Sequence, residues 1–259
     1  MHHAVILAAG RGTRMRSDLP KVLHPVGGQP MLAHVYAAAQ QTKPTATHII
    51  YGHGGNLLPD SFSDWPVHWV QQREQLGTGH AVVQALPNIP DEALVLVLFG
   101  DVPLISSETL QQLLDHANPG TLALLTVDLA NPTGYGRIIR HGDRISAIVE
   151  ERDADTQTRA ITEVNTGLMA APAGFLKSAL AQLSTENAQG EYYLTDVVAQ
   201  AESAGLSVIG QHAASVAEVQ GINSKSQLAQ CERQLQRQRA EQLMAQGVTL
   251  IDPARVDIR

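Results

Sequence analysis

Two kinds of side chain that handle phosphate and metal open this 259-residue sequence. The segment Leu7-Ala8-Ala9-Gly10-Arg11-Gly12-Thr13-Arg14-Met15 follows directly on an apolar run. Gly10 and Gly12 allow close backbone approach and positive φ. Successive N–H groups in such a loop make an anion-binding concavity. Arg11 and Arg14 add cationic charge, and a guanidinium grips phosphate with a forked pair of donors. Lys21 supplies a further cation. Two commoner glycine motifs do not fit. A dinucleotide fingerprint requires glycine where Met15 stands, and a P-loop requires Gly-Lys-Ser/Thr, which does not occur. Taken alone, the loop supports binding of a nucleoside triphosphate, with a plain strand-to-loop turn as the ordinary alternative.

Further along, Gln72 and Gln75-Leu76-Gly77-Thr78-Gly79-His80 combine amides that can read a base edge with glycines that admit a flat ring. Phe99-Gly100-Asp101 ends the most apolar run in the chain. A carboxylate at the C-terminal end of a parallel strand suits a ligand or a metal, and Mg²⁺ favours one or two protein oxygens plus substrate phosphates. The lesser alternative is that Asp101 caps a helix starting near Ser106-Ser107. Gly136 with Glu150 could hold a sugar ring, and Asn165 in Asn-Thr-Gly could direct an amide inward or mark an edge bulge. Glu191-Tyr192-Tyr193-Leu194-Thr195 places polar groups at the start of a helix. Asn223 is either the N-cap of the last helix or a metal ligand, and on the residues alone the cap is favoured. The histidines show no metal-ligand spacing, and Gly-x-Ser-x-Gly is absent.

The elements that must position these groups read as α/β. Apolar runs at 4–9, 47–51, 67–71, 93–99 and 122–128 are continuous rather than alternating, as in strands buried on both faces. Helical stretches at 29–41, 78–86 and 107–116 lie between them, which predicts right-handed βαβ units and a Rossmann-like, doubly wound, mostly parallel sheet. Ligands of such sheets bind beyond the carboxyl ends of the strands. A hairpin is expected over 137–140 and 144–149, a strand over 164–171 and a helix over 193–203, giving a small β-rich sugar-binding part. Residues 224–246 would form a helix about 34 Å long at 1.5 Å per residue. Its apolar stripe of Leu228, Cys231 and Leu235, interrupted by Arg239, predicts a helix that packs lightly and projects.

Composition narrows the partners. A net charge of −7 without a basic run disfavours nucleic acid. No apolar stretch is long enough to span a bilayer, and the single cysteine, Cys231, excludes an internal disulfide framework. A cytoplasmic protein is expected.

The motifs occur together in the order of one family. Leu-Ala-Ala-Gly-x-Gly-Thr-Arg-Met, Leu-Pro-Lys-Val-Leu-His, Gln-Leu-Gly-Thr-Gly-His-Ala, Gly-Asp-Val-Pro-Leu, Val-Glu-Glu, Asn-Thr-Gly, Gly-Glu-Tyr-Tyr-Leu-Thr-Asp and Gly-Ile-Asn are all present. From Val5 to about Arg259 the chain resembles the N-terminal uridyltransferase domain of the bacterial bifunctional N-acetylglucosamine-1-phosphate uridyltransferase/glucosamine-1-phosphate N-acetyltransferases.

The resemblance implies conversion of UTP and N-acetylglucosamine 1-phosphate to UDP-N-acetylglucosamine and pyrophosphate, with Mg²⁺ as cofactor, for cell-wall and lipopolysaccharide precursors. It implies that Leu7, Ala8, Ala9, Gly10, Gly12 and Thr13 bind nucleotide, with Gln72, Gly77 and Thr78 on uracil. Arg14, Lys21 and Asp101 would be catalytic, and Asp101 and Asn223 would hold the metal, which now outweighs the cap. Phe99, Gly100, Gly136, Glu150, Asn165, Glu191, Tyr193 and Thr195 would line the sugar pocket. Phe99 stands where the family often has tyrosine. The family continues into a hexapeptide-repeat β-helix that transfers acetyl groups and drives trimer assembly. No such repeats occur here. The expected division is therefore a nucleotidyltransferase domain over 1–222, a linker-arm helix over 223–247, and the beginning of a missing β-helix over 248–259. Acetyltransferase activity is expected to be absent, and the chain to be a monomer or weak oligomer. The competing reading is another sugar-1-phosphate nucleotidyltransferase, using glucose 1-phosphate with dTTP or UTP.

Overall fold

Alternate residues of the same apolar runs feed two separate cores, one on each face of a central sheet. The computed structural model describes every residue from Met1 to Arg259. Strand β1 (His2–Leu7) leads through 3-10 turns at Thr13–Met15 and Lys21–Leu23 to a ribbon of β2 (Pro25–Val26) and β3 (Gln29–Pro30). Next come α1 (Met31–Gln41), β4 (Ala46–Tyr51), α2 (Leu57–Ser61), β5 (His68–Gln71), α3 (Thr78–Ala85) and β6 (Leu94–Phe99). The chain continues through α4 (Ser107–His116), β7 (Thr121–Asp128), β8 (Arg137–His141), β9 (Arg144–Val149) and α5 (Thr156–Arg159). It finishes with β10 (Glu163–Pro172), α6 (Ala173–Leu180), α7 (Val197–Ser203), β11 (Ser207–His212) and α8 (Lys225–Ala245).

The main sheet runs β11-β7-β10-β6-β1-β4-β5, with the β8–β9 hairpin branching from β10. Strands β6, β1, β4 and β5 are mutually parallel, as are β7 and β11, while β10 runs antiparallel to both β6 and β7. Val5, Leu7, Val95 and Val97 face one core, and Ala4, Ile6, Leu96 and Leu98 face the other. Period-two side-chain alternation on a sheet covered on both sides therefore makes an uninterrupted apolar run a strand signal.

Three expectations need correction. Helix α1 begins at Met31, not Gln29, because Gln29 and Pro30 pair with Val26 and Pro25. Residues 193–203 begin with a 3-10 turn, Leu194–Asp196, before α7. The last helix does not project. Cys231 packs with Val26, Met31 and Ile222, flanked by Leu228 and Leu235. Gly27 (φ +57°) lies where a Cβ would stand 2.5 Å from Leu235 Cδ2. Gln236 exchanges two hydrogen bonds with the Ile258 backbone (2.6 and 3.1 Å), and Arg239 donates to the same carbonyl. The arginine that breaks the apolar stripe thus helps to anchor the helix and the folded-back tail.

Strand β11 was not expected from its sequence. Gly210 lies within its unbroken pairing with β7, and Ile145 Cδ1 is 2.8 Å from where a Cβ on it would sit. No helix is long and apolar enough to cross a membrane.

Candidate functional site

A cavity of about 680 Å³ opens where β1 ends at Leu7 and β6 ends at Phe99. Leu7, Ala8, Ala9 and Gly10 line it as the chain peels away from β1, whose path is extended by Ala8 N–H donating to Ile50 O at 2.8 Å. Arg11 also lines it. Arg14 and Thr13 do not; both are exposed on the 3-10 turn beyond the loop. Gly12 is the residue whose left-handed backbone (φ +59°) turns the chain, whereas Gly10 has no positive φ. A Cβ on Gly12 would lie 2.7 Å from Lys21 Cβ. The second glycine therefore makes room for the lysine that follows it in space.

Lys21 Nζ donates to Asp101 Oδ2 and, at 3.0 Å, to Asn223 Oδ1. Lysine and aspartate side chains are 15% and 14% exposed, so the pair is shielded while still facing the cavity. The three residues come from three distant parts of the chain, brought together by backbone contacts. Gly100 N–H donates to Leu7 O at 2.9 Å, joining the ends of β6 and β1, and Ile222 N–H donates to Asp101 O at 2.9 Å, placing Asn223 beside the carboxylate. Gly100 itself sits behind the wall, with Leu32 and Val22 each 3.2 Å from where its Cβ would be.

The structure removes the capping alternatives for both oxygen donors. Ser106 is the N-cap of α4, its hydroxyl accepting from Thr109 N–H, and Ser224 caps α8 by accepting from Gln227 N–H. Asp101 and Asn223 stay out of both caps. A carboxylate oxygen and an amide oxygen converging on one ammonium form a hard-oxygen set that fits a divalent cation such as Mg²⁺.

Across the cavity, Gln72, Gly77, Thr78 and Glu191 line the opposite wall. Gln72 is buried; its Nε2 donates to Gly77 O at 3.2 Å and faces His80 Nδ1 at 3.0 Å. The tight glycines here admit protein backbone rather than a ring. A Cβ on Gly77 (φ +113°) would lie 2.6 Å from Tyr192 O, and one on Gly79 3.0 Å from the same atom. Tyr192 N–H donates to Leu76 O, Gly79 N–H to Tyr192 O, and Leu194 N–H to Thr78 Oγ1 (2.8, 2.9 and 3.2 Å). These bonds tie the loop of residues 76–79 to the segment carrying Glu191, Tyr193 and Thr195.

Gly136, Glu150, Asn165, Tyr193 and Thr195 do not line this cavity. Instead they form an adjoining cluster. Thr195 Oγ1 donates to Glu150 Oε1 at 3.0 Å, and that oxygen lies 3.3 Å from where a Gly136 Cβ would be. Burial pushes the Glu150 carboxyl above its ordinary pKa, with Asp196 and Asp153 adding to the rise. Asn165 Oδ1 accepts from Gly167 N–H at 3.1 Å, leaving its amide NH₂ to donate. Phe99 bridges cluster and cavity: it lines the cavity and its ring packs on Gly167, 2.6 Å from where a Cβ would stand. The Tyr193 hydroxyl is engaged, donating to Asp153 at 3.2 Å and accepting from Gln189 at 2.9 Å. Arg11, Val22, Gln75 and Ala81 also line the cavity but were not singled out as site residues. Arg11, as a second cation in the glycine loop, and Gln75, as an amide beside Gln72, carried a signal for this; Val22 and Ala81 did not.

A mostly parallel sheet, with a glycine loop after the first strand and an Asp–Lys–Asn centre at the strand ends, defines a nucleoside triphosphate transferase architecture. The chain belongs to the MobA-like NTP transferase domain family, which matches residues 4–247. It is similar to the bifunctional protein GlmU of Alkalilimnicola ehrlichii, with 55% identity over 98% of this chain and 55% of that protein. It is 53% identical to the GlmU of Herminiimonas arsenicoxydans over 98% of this chain and 56% of that one. The chain thus spans little more than half the length of these curated relatives. Among solved structures it is similar to a nucleotidyl transferase from Methanothermobacter (TM-score 0.67, 20% identity, 92% of this chain and 99% of that one). It is also similar to a Bacillus anthracis protein assigned as a glucose-1-phosphate thymidylyltransferase (TM-score 0.68, 18% identity, 98% and 99%). At those identities the two structures speak for the fold alone.

Proposed function

We propose that the chain is a Mg²⁺-dependent uridylyltransferase that converts UTP and N-acetylglucosamine 1-phosphate to UDP-N-acetylglucosamine and pyrophosphate. The observation that carries this reading is the meeting of Lys21, Asp101 and Asn223 in the cavity at the ends of β1 and β6. The 53–55% identity to GlmU proteins across nearly the whole chain supports it. Residues 1–222 then make up the transferase unit, residues 223–247 an arm that contributes Asn223, and 248–259 the lead-in to a further domain.

The acceptor phosphate is already an anion at neutral pH, so no protein nucleophile is needed. One of its oxygens bonds to the α-phosphorus of UTP while the α–β bridging bond breaks, its electron pair leaving with pyrophosphate. The backbone of residues 7–10 and the Arg11 guanidinium face the triphosphate, and the buried Gln72 amide reads the uracil edge. The Lys21 ammonium stabilises negative charge that builds up between the two phosphates. Glu150 and the Asn165 amide present an acceptor and a donor to the sugar. Holding both substrates in line supplies the remainder of the rate. Asp101 and Asn223 would hold Mg²⁺, which supplies charge neutralisation and a shared anchor for the phosphates.

A pyrophosphate-release assay crossing UTP, dTTP and CTP with the 1-phosphates of N-acetylglucosamine, glucosamine and glucose tests this. Release is expected chiefly from UTP with N-acetylglucosamine 1-phosphate. A preference for glucose 1-phosphate with dTTP would establish the sister-transferase reading instead.

A further inference from the structure

One buried arginine outside the cavity is tied to both halves of the acceptor cluster. Arg137 opens β8 and is 1% exposed, the largest fully buried side chain in the protein. Its Nη2 donates to Glu151 Oε2 at 2.6 Å and to Arg159 O at 3.4 Å, and its Nη1 donates to Tyr135 O. The same Glu151 oxygen accepts from Gly134 N–H at 3.3 Å, and the Glu151 carbonyl accepts from Arg159 Nε at 3.3 Å. One fork therefore fastens the 134–136 loop, the end of β9 and the end of α5 together.

Position along the chain gives this fastening its meaning. Arg137 directly follows Gly136, and Glu151 directly follows Glu150. Arg137 pairs with Val149 across the hairpin and with Val164 of β10, next to Asn165, whose N–H donates to Gly136 O at 2.9 Å. Both members of the ion pair thus adjoin a residue assigned to the acceptor, and Tyr135, whose carbonyl Arg137 also holds, precedes Gly136. A buried ion pair is weak evidence for stability, because an apolar pair of similar volume often does as well. A planar fork that serves three acceptors at once does something an apolar pair or a lysine cannot: it fixes their relative positions.

We propose that Arg137 is a positioning residue for the sugar 1-phosphate. Paired with Glu151, it sets the distance between the Gly136 backbone and the Glu150 carboxylate, and through that distance the fit of the sugar ring. The inference rests on the proposed function and deepens it at the acceptor side.

The test measures KM for each substrate separately in Arg137→Met, Arg137→Lys and Glu151→Gln, with melting temperatures to establish folding. Misplacement of positioning groups costs up to about 100-fold. Arg137→Met should raise KM for N-acetylglucosamine 1-phosphate by about 10-fold or more and leave KM for UTP unchanged. Arg137→Lys should fall between it and wild type, because charge returns without the fork. Should Arg137→Met not fold, Glu151→Gln carries the test, since its side chain is 29% exposed and keeps an acceptor oxygen. A folded variant whose two KM values both stay put, or rise together, overturns the positioning role. A wild-type chain that turns over no sugar 1-phosphate contradicts the proposed function itself, whereas normal wild-type turnover with an unmoved sugar KM contradicts only the clamp.

Discussion

Lys21 and Asn223 meet at 3.0 Å although 202 positions separate them in sequence, and Asp101 meets the same ammonium from a third direction. The contact joins the glycine loop after β1, the end of β6 and the entry to α8 in one polar centre. Everything proposed about phosphate chemistry here depends on that meeting.

Removing the ammonium tests its role directly. Lys21→Ala should lower kcat by about 10²–10³-fold, as lost transition-state donors do, with the fold intact. The side chain is partly exposed and its neighbours are polar, so circular dichroism and melting should change little. Unchanged turnover would remove Lys21 from the mechanism.

Gly12 should matter through the lysine rather than through the ligand. Its φ of +59° costs a substituted residue about 1–2 kcal/mol, and an added Cβ would press on Lys21 Cβ at 2.7 Å. Gly12→Ala should lower the melting temperature by a few degrees and reduce kcat more than KM for UTP. Gly10→Ala, with nothing within 4 Å of the added atom, should spare stability. If the two variants behave alike, the steric account is wrong.

A histidine ladder at the far side of the strands predicts acid sensitivity. His3, His48 and His68 stack across β1, β4 and β5 at centroid separations of 5.4 and 5.0 Å. Burial, then the His68 and His3 charges, lowers the His48 pKa from 6.5 to about 4. A depressed histidine pKa contributes stability that is complete above pH 6.5 and is lost as pH falls towards 4. At 1.36 kcal/mol per unit the loss is on the order of 3 kcal/mol. Urea melts at pH 7.5, 5.5 and 4.5 should show the decline, and His48→Asn should flatten it. An equally steep decline in that variant would place the acid sensitivity elsewhere.

Cys231 should be inert. It is buried between α8 and the β2–β3 ribbon, and burial followed by the Glu232 charge pushes its thiol up to about 12. Thiolate is the reactive form, so a disulfide reagent at pH 8 should label the chain only after denaturant is added. Rapid labelling of the native protein would mean that α8 opens readily.

What was legible in the sequence divides along physical lines. The parallel strands could be read because burial on both faces leaves an unbroken apolar run, as in Leu94–Phe99. Helix α8 could be read from its composition, although its cap is Ser224 rather than the neighbouring Asn223. Strand β11 could not, because its glycine answers to Ile145 of another strand. The antiparallel course of β10 leaves no mark on its residues at all. At the site, the types and order of the residues pointed to phosphate, metal and base, while their grouping depended on backbone bonds such as Ile222 to Asp101. Charge alone could not separate Arg11, which lines the cavity, from Arg14, which points into solvent. A glycine does not record which surface crowds it: Gly77 lines the cavity, yet the room left by its missing Cβ, like that of Gly79, is taken by Tyr192.

In the proposed reaction, UTP is joined to an amino-sugar 1-phosphate without a covalent enzyme intermediate. Phosphorus NMR of the chain with UTP, N-acetylglucosamine 1-phosphate and Mg²⁺ follows every phosphorus atom at once. The account predicts that the UDP-N-acetylglucosamine diphosphate signals and pyrophosphate grow together in equal amounts, only when both substrates are present. Inorganic phosphate or UMP in their place, or pyrophosphate released from UTP alone, would contradict it.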